Sequence, residues 1–148
     1  MVGVIETEGE CAEWTFPAEL DTVRSARHVV RETLLAWGLD AALADVTVLL
    51  VSELVTNSMR YTAGPIGLRL SLRRGDDGPG GPDPVFPPPP ALMVEVSDPL
   101  PDPPLERPAG PDDEGGRGLQ LVACSARRWG TRKGRAGKTV WFELALPG

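Results

Sequence analysis

The chain reads as an α+β protein: a two-layer α/β sandwich, with helices on one face of a mixed, mostly antiparallel sheet. Two observations predict it. Helix-period stretches lie together early, at about 18–37 and 41–61. The later apolar stretches are short, mostly alternate with period two and are mostly joined as hairpins. Helices grouped ahead of hairpin-connected strands suit two packed layers.

The first strand is expected over 11–16, which alternates weakly and stops at Pro17. In the first helix, Leu20, Val23, Arg27/Val30, Leu34 and Trp37 trace the apolar stripe, and Gly38 stops it. Asp40 is a good N-cap for the second helix. Val46, Leu49, Leu50 and Leu54 make its apolar side, and Gly64-Pro65 ends it. A half-buried strand follows over 66–73, with Ile66, Leu68, Leu70 and Leu72 alternating against Gly67, Arg69, Ser71 and Arg73. Residues 74–90 are a Gly/Pro-rich insert that can form neither a ladder nor a packed helix, and they read as a long loop between antiparallel strands. The run Pro87–Pro90 reads as a spacer, with polyproline II docking as the other use. A strand over 91–97 stops at Asp98-Pro99. A second Pro-rich segment runs to Gly116, and a helix is expected over about 119–126. Strands over about 128–132 and 139–146 close the chain, with Gly134 and Gly137 in the turn between them.

With 148 residues, the chain fits one domain over 1–148 with room for a core. Fifteen basic and 21 acidic residues leave a formal net charge of −6, which argues against direct nucleic-acid binding. No apolar run approaches the roughly 20 residues of a bilayer span, so no membrane is expected. Residues 1–10 carry acids and no basic n-region, unlike a signal peptide. Cys11 and Cys124 fit no ligand spacing and read as two reduced thiols of a cytoplasmic protein.

Three signals carry chemistry. Glu53 and Asn57 stand one helical turn apart and project from the same face. A carboxylate beside a carboxamide oxygen suits a hydrated magnesium ion and an activated hydroxyl. Asp98 closes an apolar strand, where it can accept a hydrogen bond from a ligand such as the exocyclic amine of a purine. In Gly115-Gly-Arg-Gly-Leu119, glycines allow close backbone approach to phosphate oxygens, and the helix that follows points free N–H groups at them. One helix end contributes about 0.3–1 kcal/mol, so the amides and Arg117 must supply more. Each signal has a plainer use: Glu53 as a surface carboxylate, Asn57 as a helix–helix hydrogen-bonding residue, Asp98 as a turn cap, the glycines as a loop. Their order and spacing point to one site.

The chain resembles the histidine-kinase-like ATPase superfamily (the Bergerat ATP-binding fold), in its anti-sigma-factor serine/threonine-kinase branch. Glu53-Leu-Val-Thr-Asn57 resembles the first box, Val94-Glu-Val-Ser-Asp98 the second and Gly115-Gly-Arg-Gly-Leu-Gln-Leu-Val122 the third. Lys138-Thr-Val-Trp-Phe-Glu143 resembles the closing strand. The resemblance implies an ATP site. Asn57 would hold magnesium against the phosphates, Glu53 would orient or deprotonate the acceptor hydroxyl, and Asp98 would read the adenine amine. Gly116 and Gly118, with the amides around Arg117 and Leu119, would cradle the phosphates under a lid at about 99–116. It further implies γ-phosphoryl transfer to a serine or threonine of an anti-sigma-factor antagonist. The implied partners are that antagonist and a sigma factor, and the branch is often homodimeric.

Three features depart from the family pattern. Tyr61 stands where a histidine is usual, Pro99 and Leu100 follow Asp98 where Asp-x-Gly is common, and the lid carries Asp102, Glu106, Asp112, Asp113 and Glu114 among its prolines. They support a second reading, a non-catalytic or weakly ATP-binding interaction module of the same fold. A third, a detached histidine-kinase catalytic domain, predicts transfer to a separate acceptor domain. His28, the sole histidine, reads as a surface or packing residue.

Overall fold

Strand alternation decides which side chains meet the helices. In a computed structural model, residues 3–7, 10–62, 64–73, 90–99, 115–134 and 137–146 are described, with backbone alone for 3–7, 61 and 115–119. The described elements are β1 (Gly3–Thr7), β2 (Cys11–Phe16), α1 (Thr22–Ala36), α2 (Ala41–Tyr61), β3 (Ile66–Arg73), β4 (Ala91–Asp98), α3 (Gly115–Ser125), β5 (Arg128–Gly134) and β6 (Gly137–Ala145). The insert, apart from Pro90, and residues 100–114 of the lid lie outside the described residues.

The sheet order is β1-β2-β3-β4-β6-β5. Every described pairing is antiparallel, so the expected mixed character is corrected. β5 does run in the direction of β4, but β6 lies between them and pairs with both, so no parallel ladder forms. β1 was not expected. It is an edge strand whose register shifts between Val4 and Glu6, which removes the period-two signal.

On the helix-facing side, cross-strand rows such as Trp14, Leu68 and Val96, and Ala12, Leu70, Val94 and Phe142, are buried. Each large apolar side chain buried there contributes about 1.5–3 kcal/mol. The opposite face is ionic. Glu95 lies between Arg69 (3.7 Å) and Arg132. Glu143, its side chain 2% exposed, lies between Arg73 (3.2 Å) and Arg127 (3.1 Å). Arg128 stacks over Trp141 at 5.9 Å. This polar lining lets the second face meet water while helices cover the first.

α1 buries Thr22, Ala26, Val30 and Leu34 at four-residue spacing. The helix starts at Thr22, where the Thr22 hydroxyl donates to the Pro17 carbonyl, so Leu20 stays in the preceding turn, fully exposed. His28 is exposed beside Glu32. The Asp40 carboxylate caps α2, accepting from the Leu43 amide at 2.7 Å. The buried stripe of α2 is Ala44, Thr47, Val48, Val51, Leu54, Val55 and Ser58, with Leu50 beside it. Val46 and Leu49 are 39% and 48% exposed, contrary to expectation. At about 100° per residue they fall on the far side of the helix from Val51. The stretch Ala41–Arg60 does have the length and composition of a membrane-crossing helix, unlike the sequence expectation, and half of it is buried within the fold. Packing against α1, α3 and the sheet accounts for that apolarity.

Candidate functional site

Glu53 and Asn57 are half-buried on α2, between buried Leu50 at the edge of the core stripe and the exposed side that carries Leu49. Their face is therefore a flank of the helix and not its core stripe. Asn57 Oδ1 is buried and has no hydrogen-bond partner among the described residues. Such an oxygen costs about 1–3 kcal/mol when left unpaired. It is a hard neutral donor of the kind magnesium accepts, and magnesium sites often use few protein ligands. Among the described residues no three His, Cys, Asp or Glu side chains converge on a possible metal position. A cation here would rest on Asn57 together with oxygens from its ligand and water.

Asp98 is the last residue of β4 and is 6% exposed. Ser58, one residue beyond Asn57, points into the core and donates its hydroxyl to Asp98 Oδ2 at 3.0 Å. This bond ties the middle of the fold together: α2 and the end of β4 are held in one place, with Asn57 on the neighbouring helix position. Lys138 stands opposite Asp98 in the β4–β6 ladder, and its ammonium is 4.0 Å from the same Oδ2. On the other sheet face the Ser97 and Thr139 hydroxyls are 2.7 Å apart, which closes the same end of the ladder.

The backbone around Asp98 is closely packed. A Cβ at Gly137 would fall 1.9 Å from the Asp98 carbonyl oxygen, and one at Gly64 would fall 2.3 Å from Pro99 Cγ. Glycine is thus required where the α2 exit and the β6 start approach the β4 end.

Gly116, Arg117 and Gly118 lie inside the first turn of α3, which begins at Gly115, four residues earlier than expected, and Leu119 follows it. A first turn has N–H groups without intrahelical partners; with the helix starting at Gly115 these include the amides of Gly116 and Arg117, while the Gly118 and Leu119 amides already enter the intrahelical ladder. The glycines raise the helix cost by about 1 kcal/mol each, which is why the run reads as loop in sequence. The side chains of Arg117, Leu119 and Tyr61, and all of Leu100, lie outside the described residues. So does the rest of the acidic lid segment.

Two neighbours of the site were missed by the motif reading, Ser58 and Lys138. Ser58 carried no signal beyond its place after Asn57. Lys138 did carry one: in the alternation Lys138, Val140, Phe142, Leu144 it occupies an inward position, where a charge needs a partner. A concavity of about 550 Å³ lined by Ala18, Glu19, Leu20, Asp21 and Met59 shares none of these residues. It lacks the convergent polar groups of a ligand site.

Residues 16–144 match the family model of the histidine kinase-like ATPase domain. No curated protein matches the chain in sequence. Among solved structures, the chain is similar to the crystal structure of the RsbU and RsbW domains of Rv1364c from Mycobacterium tuberculosis, with a TM-score of 0.65 and 18% identity. The match covers 95% of this chain and 34% of that one, so this chain spans about a third of that chain's length. At this identity the likeness concerns the fold.

Proposed function

The chain belongs to the histidine kinase-like ATPase domain family, and from that premise we propose that it is an ATP-binding regulator of the anti-sigma-factor type. In this reading it acts in the cytoplasm as one domain, phosphorylates a serine or threonine of an anti-sigma-factor antagonist, and binds a sigma factor. The observation that carries the reading is the buried Oδ1 of Asn57, without a partner among the described residues, one turn from Glu53 and next to the Ser58–Asp98 bond.

Bound ATP supplies the phosphoryl group, and magnesium offsets the charge of its phosphates. The chain's own groups position and neutralise, which is most of what phosphoryl transfer asks of a protein. Asn57 Oδ1 serves as a magnesium ligand. Glu53 orients the acceptor hydroxyl and takes its proton. Asp98, fixed by Ser58, accepts a hydrogen bond from the adenine amine. The start of α3, with Gly116, Arg117, Gly118 and Leu119, receives phosphate oxygens through its free first-turn amides, and residues 99–116 act as the lid. The test is incubation of the purified chain with labelled Mg-ATP and a candidate antagonist. Label on serine or threonine is expected, and loss of at least 100-fold in rate with Glu53→Ala. No label with any antagonist, and no effect of the substitution, would remove the kinase assignment.

A second reading, regulation through protein contacts with weak or absent turnover, is favoured by Lys138, which already occupies one side of Asp98. The acidic residues of the lid segment favour it as well. Calorimetry that finds tight ATP binding together with steady turnover excludes it.

A further inference from the structure

β5 ends the sheet: among the described strands it pairs only with β6. Its ladder runs without a shift from Arg128↔Glu143 to Gly134↔Gly137, and every β5 residue except the half-buried Gly130 is exposed. The sequence here is one-sided in charge. From Arg127 to Phe142 it has Arg127, Arg128, Arg132, Lys133, Arg135 and Lys138 and no acid, in a chain with 21 acids. A regular, exposed edge presents main-chain N–H and C=O groups along one side. Cations on such an edge keep copies apart, since a second β5 would set like charge against like charge. The same cations favour a strand of opposite sign.

Side chains alternate along β5, so Arg128, Gly130 and Arg132 share the open sheet face. A Cβ at Gly130 would lie 3.1 Å from the Trp141 ring, which stands opposite it on β6. Glycine thus leaves room for the indole to lean over the edge row. Arg128 stacks on that ring, and Arg132 is 61% exposed. The nearest carboxylates are each shared by two arginines, Glu95 by Arg69 and Arg132 and Glu143 by Arg73 and Arg127. The row along the edge is then cation, indole, cation. Its complement is a strand with acid, apolar and acid at alternate positions.

We propose that the β5 edge takes up an acidic, extended segment of a partner protein as an added strand. Main-chain hydrogen bonds to β5 supply affinity, and the alternate side chains supply specificity. Arg128 and Arg132 meet two carboxylates, and Trp141 meets the apolar side chain between them. The seven residues of β5, at about 3.3 Å each, give an edge of roughly 23 Å. A nucleic acid fits less well, because it offers no ladder partner to the edge. The net charge of −6 also repels a long polyanion, whereas a short segment meets chiefly the charges within a Debye length, about 8 Å at physiological salt. The surface uses none of the residues assigned to the nucleotide site, so it stands or falls apart from that reading.

The test is fluorescence-polarisation titration of the full chain with a labelled, end-blocked peptide, Thr-Glu-Thr-Val-Thr-Glu-Thr, and with its counterpart carrying lysine in place of glutamate. The acidic peptide is expected to bind at least about tenfold more tightly than the basic one. Arg128→Glu combined with Arg132→Glu is expected to reverse that order. Strand addition has its own signature, because only alternate main-chain groups of the added strand face β5. N-methylation of one alternate set of peptide amides should weaken binding at least about tenfold, and methylation of the other set by less than about threefold. Equal effects from the two sets overturn strand addition. No binding of the acidic peptide, no preference over the basic one, or tighter binding of a single-stranded oligonucleotide also overturns the proposal. So does self-association through β5 that excludes the peptide. The peptide comparisons need no variant, so the outcome stands even if the doubly substituted chain does not fold.

Discussion

Asn57 and Ser58 are adjacent in sequence and opposite in purpose. Ser58 donates to a buried carboxylate, whereas Asn57 leaves a buried oxygen without a partner among the described residues. Replacing Ser58 by alanine takes one donor from a buried acceptor and should cost about 1–3 kcal/mol in urea unfolding. Replacing Asn57 by alanine breaks no hydrogen bond of its Oδ1 to a described residue, and nucleotide-free stability should stay within about 1 kcal/mol of wild type. A large loss at Asn57 in the same measurement would make it a structural residue. The pair Glu53 and Asn57 was legible because a four-residue spacing on one helix needs no tertiary knowledge. Ser58 and Lys138 were not, because each acquires its role from a residue 40 positions away in the chain. Only the inward parity of Lys138 in β6 hinted at it.

At the scale of elements, the end of β4 and the start of β6 form one packed joint. Gly137→Ala would drive a methyl group into the Asp98 carbonyl, and we expect a loss of about 1–3 kcal/mol by chemical denaturation. On the other face, Glu143 depends on Arg73 and Arg127. Replacing both arginines by alanine leaves a buried carboxylate without those partners and should cost about 3–5 kcal/mol. Double-mutant analysis would show whether one arginine compensates for the other. α2 and β3 were read from the sequence with the bounds they have, since each is bracketed by strong signals: Asp40 and Gly64-Pro65 for the helix, clean alternation for the strand. Where those signals fail, so did the reading. A bulged edge hid β1, glycines in a first turn hid the start of α3, and Val46 and Leu49 were assigned to the core although the 3.6-residue period turns them away from Val51.

For the whole molecule, the fold class was legible because grouped helices and alternating strands leave few two-layer arrangements. The sheet order was not, because inserting β6 between β4 and β5 depends on long-range pairing that local pattern does not encode. The excess of acids did not reveal that the open sheet face collects Arg69, Arg73, Arg127, Arg128 and Arg132 around Glu95 and Glu143. If the fold encloses a nucleotide site, ligand binding must stabilise it. Mg-ATP at 100 times its Kd should add about 2.7 kcal/mol, read as an upward shift in the melting temperature. The most direct measurement is calorimetric titration of ATP, with and without magnesium, into wild type and Asn57→Ala. The account predicts magnesium-dependent binding by wild type, and for Asn57→Ala an affinity at least about tenfold weaker, a loss of some 1.4 kcal/mol, with the magnesium dependence gone. No binding by wild type, or equal affinity and equal magnesium dependence in both proteins, would contradict it.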